Sequence, residues 1–447
     1  METFTTRKGK TGIIIDKFRF KKDKEHKQSI SWRCTNYQCK SRCTTDVQLS
    51  EVLSFPTAHN HEPEDDRTIQ RHQVRGAVKR KAEESVHERP LQMACTEVQC
   101  YDSLDFNDAK MLRQSIYRAR KKVMPSLPRS LTETCEILQG HQSSILFKIN
   151  SASSIIIFAT PETVRFLCST KHVYADDTFY TCPRYFYQLY TFFALNNGMY
   201  VPCVFFLLPD KTKQTYEQML RMLLESFESS TSSLSIETIH IDQEAAMAEA
   251  VRNTSNFVIK FCHFHIRQSW LRKIQTLGLI TDYKNVESDI GNWLKLFFGL
   301  PALSHEEVDD VFAFCLMVKQ PESEKCEAFA DYIFNNYIST SAPFQPPAWT
   351  NQEVEGRTTN ACEAFHKNFK QSISSKPNIF LFMQNLAHEI SKATLKMKTP
   401  VATKRKADRD IEKNRLELIN MYKEGHLMTE RFLKKISYKM LPVLDLH

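Results

Sequence analysis

Two groups of residues in this chain have the types and spacing to do chemistry. The first lies near the start, where Cys34 and Cys39 precede the run His59-Asn60-His61. Two thiolates and two imidazoles make up a tetrahedral donor set of the kind Zn2+ favours. In an extended chain a His-x-His pair sends both rings to the same side. Cys43 competes with Cys39 for the second thiolate position. The second group is acidic. Asp176 and Asp177 lie within or at the end of the strand-like run His172–Tyr180, Asp242 closes Ile239-His240-Ile241, and Glu363 follows in Arg357-Thr358-Thr359-Asn360-Ala361-Cys362-Glu363. A carboxylate at a strand end of an α/β sheet faces the crevice where such folds bind ligands. Three converging carboxylates can hold two Mg2+ or Mn2+ ions about 3.5–4 Å apart, the arrangement for phosphodiester cleavage and transfer. Each acid also has an ordinary use. The Asp pair suits a turn, Asp242 suits the N-cap of a following helix, and Glu363 stands three residues after Asn360, as in a capping box. Cys262 and His265 form a C-x-x-H segment, and the only other Cys/His pairs are remote in sequence. His366 lies one turn beyond Glu363 on the same helix face, placed to touch DNA or to orient that acid.

The elements that must position these groups follow from the hydrophobic pattern. Residues 1–65 are β-rich, with short strand-like runs around Ile13–Ile15, Phe18–Phe20, Ile30–Cys34 and Thr44–Val52. Residues 66–130 are highly charged and read as a basic helical linker, closed by Pro125 and Pro128. From 131 to 390 strands and helices alternate. Strands are expected at Ile155–Phe158, His172–Tyr180, Phe186–Leu195, Tyr200–Leu208, Ile236–Ile241 and Phe257–Cys262, and helices at Tyr216–Ser226 and Gln243–Arg252. This pattern predicts an α/β fold with a mixed sheet. A mainly helical stretch over about 266–355 interrupts it before Glu363. Residues 391–447 read as a basic helical segment carrying Lys404-Arg405-Lys406 and Lys434-Lys435.

Composition narrows the function classes. Only 10 of the 447 residues are glycine, where about 7% would give roughly thirty. None falls in the Gly-rich patterns that bring backbone against the phosphates of dinucleotides or nucleoside triphosphates, which argues against those enzyme classes. The net charge of +8 is divided as +9 over residues 1–130, −8 over 131–390 and +7 over 391–447, by counting Lys and Arg against Asp and Glu. Basic flanks point to a polyanion partner. The longest apolar stretch, Phe192–Pro209, is broken by Asn196-Asn197-Gly198 and reads as two strands with a turn, so no membrane association is expected. With 13 cysteines and no N-terminal run like a secretory signal, a reducing compartment is expected.

Two family resemblances rest on these residues. About residues 4–63 resemble a FLYWCH-type zinc finger, through Phe18 and Phe20, Trp32-Arg33-Cys34, Cys39-Lys40-Ser41-Arg42 and His59-Asn60-His61. The resemblance implies structural Zn2+ on Cys34, Cys39, His59 and His61. Cys39 is favoured over Cys43 because it leaves nineteen residues before His59, inside the family range. It also implies DNA contact through the neighbouring Arg33, Lys40 and Arg42. About residues 150–375 resemble the transposase domain of Mutator-like elements (MULE). Asp176-Asp177-Thr178-Phe179 stands at that family's D-G-T-F/Y, Ile241-Asp242 at its second acid, Cys262 and His265 at its C-x-x-H, and Arg357 through Glu363 with Phe365-His366 at its R-T-N-N-x-x-E-x-F-H run. Asp177 replaces the usual Gly and Thr359 an Asn. This resemblance implies an RNase H-like mixed sheet core with a helical insertion, preceded by the small β-rich zinc-binding domain. It implies Asp176, Asp242 and Glu363 as the catalytic triad with Mg2+ or Mn2+, Asp177, Cys262, His265 and His366 as neighbours of the site, and double-stranded DNA as partner. A homo-oligomer on DNA and a nuclear location go with that reading. The alternative is a domesticated, catalytically silent DNA-binding regulator.

Overall fold

Short alternating runs at the start of the chain fold as a six-stranded antiparallel meander in sequence order: β1 (Glu2–Thr5), β2 (Thr11–Ile15), β3 (Phe18–Glu25), β4 (Ser29–Cys34), β5 (Arg42–Asp46) and β6 (Val52–Ser54). Asp16 and Lys17, at φ of 51° and 65°, form the two-residue turn that pairs Ile15 with Phe18, the left-handed geometry a tight hairpin demands. Inward residues Ile13, Ile15, Phe20, Ile30 and Trp32 form the core of the sheet with Cys34, Cys39 and Cys43. In the computed structural model the described residues are all but 7–8, 86–87, 141–144, 229–233, 351–359, 374, 401–405 and 443–447. The chain divides into two units, Met1–Leu127 and Pro128–His447.

Of residues 66–130, expected as a linker, all up to Leu127 belong to the first of these units. They contain α1 (Asp66–Glu84), α2 (Pro90–Val98) and α3 (Phe106–Val123), packed around Val74, Val78, Ala82, Met93, Ala94, Leu112 and Ile116. Helix α1 also lies on the sheet through Phe4, Ile14 and Ile69. High charge hides this packing from a compositional reading. The apolar stripe of α1 is only Ile69, Val74, Val78 and Ala82, at helical spacing within a very polar run.

The second unit is built on a seven-stranded sheet ordered β13-β12-β9-β10-β11-β8-β7. Its strands are β7 (Leu146–Asn150), β8 (Ile155–Phe158), β9 (His172–Thr178), β10 (Gln188–Asn196), β11 (Met199–Leu208), β12 (Thr238–Ile241) and β13 (Val258–Phe261). Strands β9, β10, β11, β8 and β7 pair antiparallel, whereas β12 runs parallel to β9 and β13 parallel to β12. Asn197 and Gly198, at φ of 49° and 81°, make the β10–β11 turn. Strands β10 and β11 are apolar on both sides because both faces are covered. On one face Val173, Ala175 and Phe192 join the main core with the helices Lys213–Glu228 and Ala245–Thr254. On the other, Tyr174 and Phe193 meet Cys362 of the helix Asn360–Ser372.

Helices fill the described part of the expected insertion, from His263–Thr276 to Pro346–Trp349. The expected boundary at 390/391 falls inside the helix Ile379–Met397. The segment beyond it is not separate, because Ile419, Leu427, Phe432, Leu433, Ile436 and Met440 enter the main core, and Arg267 Nη1 donates to the Met440 carbonyl at 2.9 Å. Lys404 and Arg405 lie outside the described residues, as do Arg357, Thr358 and Thr359.

Candidate metal centres

In the first unit, β4 ends on Cys34 and the loop after it brings in Cys39, while His59 and His61 follow β6. One donor atom from each of these four residues lies within 4.8 Å of all the others. Cys34 Sγ is 3.2 Å from His61 Nε2, Cys39 Sγ is 3.3 Å from His59 Nδ1, and the two nitrogens are 3.3 Å apart. A tetrahedron with Zn–S of about 2.3 Å and Zn–N of about 2.0–2.1 Å has donor edges of about 3.3–3.8 Å, so the set suits Zn2+. His61 Nδ1 lies 3.0 Å from the Glu62 carbonyl; that oxygen can only accept, so the contact calls for the proton on Nδ1 and leaves Nε2 for the metal. Phe18 stacks on His59 at 3.6 Å between ring centroids and holds its orientation. Cys43 is elsewhere. It pairs across the sheet with Trp32 among the core residues, and burial pushes its thiol up to about 12.

Of the three candidate DNA contacts on the finger, two are already engaged. Arg42 Nη1 is 2.8 Å and Arg33 Nε 3.5 Å from the carboxylate of Asp23, while Lys40 is exposed. Asp23 escaped the sequence reading because it sits at the register shift between Lys22 and Lys24. A bulge re-aims its side chain, and no periodicity announces one.

In the second unit the acids are placed by the sheet. Asp176 and Asp177 are consecutive on β9, so they leave opposite faces of the strand, Asp176 toward the helix Asn360–Ser372 and Asp177 toward Glu244 and Tyr216. Asp242 follows β12, the parallel neighbour of β9. It does not cap the next helix, whose N-cap is Glu244, so its carboxylate is left for other contacts. One carboxylate oxygen each of Asp176, Asp177 and Asp242 lies within 4.8 Å of the others. Glu363 joins by another route. His265, in the first turn of the helix that Cys262 caps, has Nδ1 2.6 Å from Asp242 Oδ1 and Nε2 3.0 Å from Glu363 Oε1. Cys262 and His265 also gather with Asp242. His366 is buried, with Nε2 3.5 Å from Asp176 Oδ2; it backs Asp176, away from solvent. Burial holds it neutral, its pKa pushed down to about 3.

The electrostatics are those of buried, crowded carboxylates with one cationic side chain, His265, beside them. Burial, then the charge of Asp242, lifts Asp176 well above the carboxylate range, and the same two causes bring Asp177 up to about 7. Burial opposes charge on His265, but its contacts with Asp242, Cys262 and Glu363 outweigh burial and hold the imidazolium far above its ordinary range. Asp176 Oδ2 is buried without a hydrogen-bond partner. Orphaned, closely spaced carboxylate oxygens fit a hard divalent cation such as Mg2+ or Mn2+. Asp177 also carries a prediction. Its folded value of about 7 lies above its unfolded value near 3.8, so it costs nothing below pH 4, and its cost grows until the pH passes about 7. In metal-free protein, Asp177→Asn is therefore expected to raise Tm by several degrees at pH 8 and to leave it nearly unchanged at pH 4. An equal effect at both pH values would contradict the buried, crowded placement of this carboxylate.

Sequence reasoning did not find the contacts behind Asp177. Tyr216 Oη donates to Glu244 Oε2 at 2.8 Å and accepts from Gln188 Nε2 at 2.9 Å. These residues come from three elements, and only the fold makes them neighbours.

No curated protein matches the chain in sequence. Two family models do match parts of it. The FLYWCH zinc finger domain covers residues 3–61, which includes all four donors of the first cluster. The MULE transposase domain covers residues 172–269, which includes Asp176, Asp177, Asp242, Cys262 and His265 and leaves Glu363 outside the match. The chain carries a FLYWCH zinc finger followed by a MULE transposase domain.

Proposed function

We propose that this protein is a DNA transposase of the D-D-E type, acting in the nucleus on double-stranded DNA, with Asp176, Asp242 and Glu363 as its triad. The observation that carries the reading is the convergence of carboxylate oxygens from β9 and from the end of the parallel strand β12. The sheet supports an RNase H-like core, since β9, β10 and β11 form an antiparallel meander and β12 and β13 add in parallel on the far side of β9. Strands β7 and β8 extend that arrangement beyond β11. Asp176 and Asp242 would hold divalent cations, with Asp177 as an additional oxygen donor. Bound there, such ions supply activation of the attacking oxygen and stabilisation of the leaving one. His265 ties Asp242 to Glu363 and so sets the position of both acids. His366, held neutral behind Asp176, contributes no competing charge. The finger delivers the protein to DNA, and binding as a homo-oligomer on paired element ends goes with this reading. The test is divalent-dependent cleavage of element-end duplex by the wild type and by Asp176→Asn. Activity in the wild type with a loss of roughly 100-fold or more in the variant supports the enzyme. No activity in either would leave the silent DNA-binding regulator as the function, and equal activity in both would overturn the triad on which the enzyme reading rests.

A further inference from the structure

We propose that the outward face of α3 (Phe106–Val123) is a second duplex-contact surface, which lies along a DNA groove as a recognition helix. This rests on the DNA-binding reading above but assigns the contact to a part of the chain outside both family matches.

The inward side of α3 is fully employed. Ala109, Leu112, Ile116 and Ala119 fill the three-helix core. Asp108, the only acid in the helix, is buried between Arg67 and Arg71, at 2.9 and 2.6 Å. Arg120 turns inward and donates to the carbonyls of Ser85 and Glu88. The opposite side is rich in charge of one sign, with Met111 and Tyr117 exposed between the charges and Phe106 under Lys110 Nζ at 4.7 Å. Lys110, Arg113, Arg118, Lys121 and Lys122 are all exposed. Among the described residues, the ion pairs of these three helices involve none of them.

The order of residues around the helix decides which polyanion fits. At 100° per residue, Gln114 stands opposite the centre of the buried stripe, with Asn107 and Lys121 on the same line. Lys110 and Arg113 fall to one side of this line, Arg118 and Lys122 to the other. A major groove has this layout, with phosphates along both walls and base edges on the floor. Lys and Arg on the flanks would meet the walls. Carboxamides on the central line would meet base edges, where Asn and Gln pair with adenine. Eighteen residues span about 27 Å, enough to follow the groove for most of a turn. An acidic polypeptide would be drawn by the same charge, but it lacks the two parallel rows of phosphates that the charges on both flanks match.

The experiment uses the full chain and a fluorescent mixed-sequence duplex of about three turns, with affinity measured by anisotropy over a range of NaCl concentrations. Each phosphate contact contributes about 0.9 to the slope of log K against log salt. The triple variant Lys110→Ala/Arg118→Ala/Lys121→Ala is expected to reduce the slope by about 2 to 3. Gln114→Ala, at the same face but without a charge to lose, is expected to leave the slope unchanged. All four side chains are exposed, so an unaltered thermal melt shows that the variants fold. If the wild type binds and the triple variant keeps its slope and affinity, this inference fails and binding is carried by other parts of the chain. If the wild type binds no duplex, the DNA reading fails with it. If polyglutamate displaces the duplex from the wild type at matched charge concentration, the face is a polypeptide site instead.

Discussion

Asp242→Asn is expected to reduce divalent-dependent DNA cleavage by roughly 100-fold or more, with zinc content unchanged. Loss of an outer hydrogen-bond partner at a metal site typically costs about 10–100-fold, and Asp242 combines two roles. It offers an oxygen to the group formed with Asp176 and Asp177, and it anchors His265 Nδ1 at 2.6 Å. His265 in turn reaches Glu363 at 3.0 Å. Asparagine keeps the shape but removes the charge, so both the cation and the imidazolium lose attraction. His265→Ala separates the roles. It leaves the three carboxylates of the sheet in place and frees only Glu363, so its loss should be smaller, with a raised Mn2+ requirement. Mn2+ titrations of cleavage in the two variants and the wild type make the comparison. Wild-type activity in Asp242→Asn would remove this residue from the triad.

The second large effect concerns the finger. Cys39→Ser is expected to lose zinc and melt the β1–β6 sheet, whereas Cys43→Ser retains the metal. Binding of structural zinc is worth about 10–16 kcal/mol at neutral pH, and in small domains this energy is folding energy. The dependence should be strong here. The inward cluster of the sheet is small, and three of its members are cysteines. Cys43, by contrast, is a neutral thiol beside Trp32, and serine there costs packing without costing a ligand. Metal content of the purified variants, with near-UV circular dichroism of the Trp32 environment, reads both results. Zinc retained by Cys39→Ser and lost by Cys43→Ser would exchange the two assignments.

Much of the fold was legible because its signals are local. Strands β8 to β13 show as apolar runs bounded by polar residues, and the β10–β11 turn shows as Asn-Gly. The zinc donors are legible for the same reason, since four residues and one residue separate the members of the two pairs and one loop or strand end fixes each pair. The helices α1 and α3 were visible as helices but not as parts of a packed body, because their apolar stripes are thin within polar sequence, and the short α2 was not visible as a helix. The ordinary cap roles of the acids could not be separated from catalytic ones by spacing. Asp242 is three residues ahead of the first residue of its helix, a shift too small for periodicity to resolve.

By itself, then, the sequence determined the donor types, their pairing within short segments and the alternation of strands and helices, because side-chain direction repeats every two or 3.6 residues along the chain. Tertiary structure decided which segments meet. It turned Cys43 into the core and Cys39 toward the histidines through the β4–β5 register, placed Asp177 beside Asp176 and Asp242, and set His265 between Asp242 and Glu363, residues 121 apart. Such contacts depend on strand order and on the packing of helices against both sheet faces, and no local period encodes either.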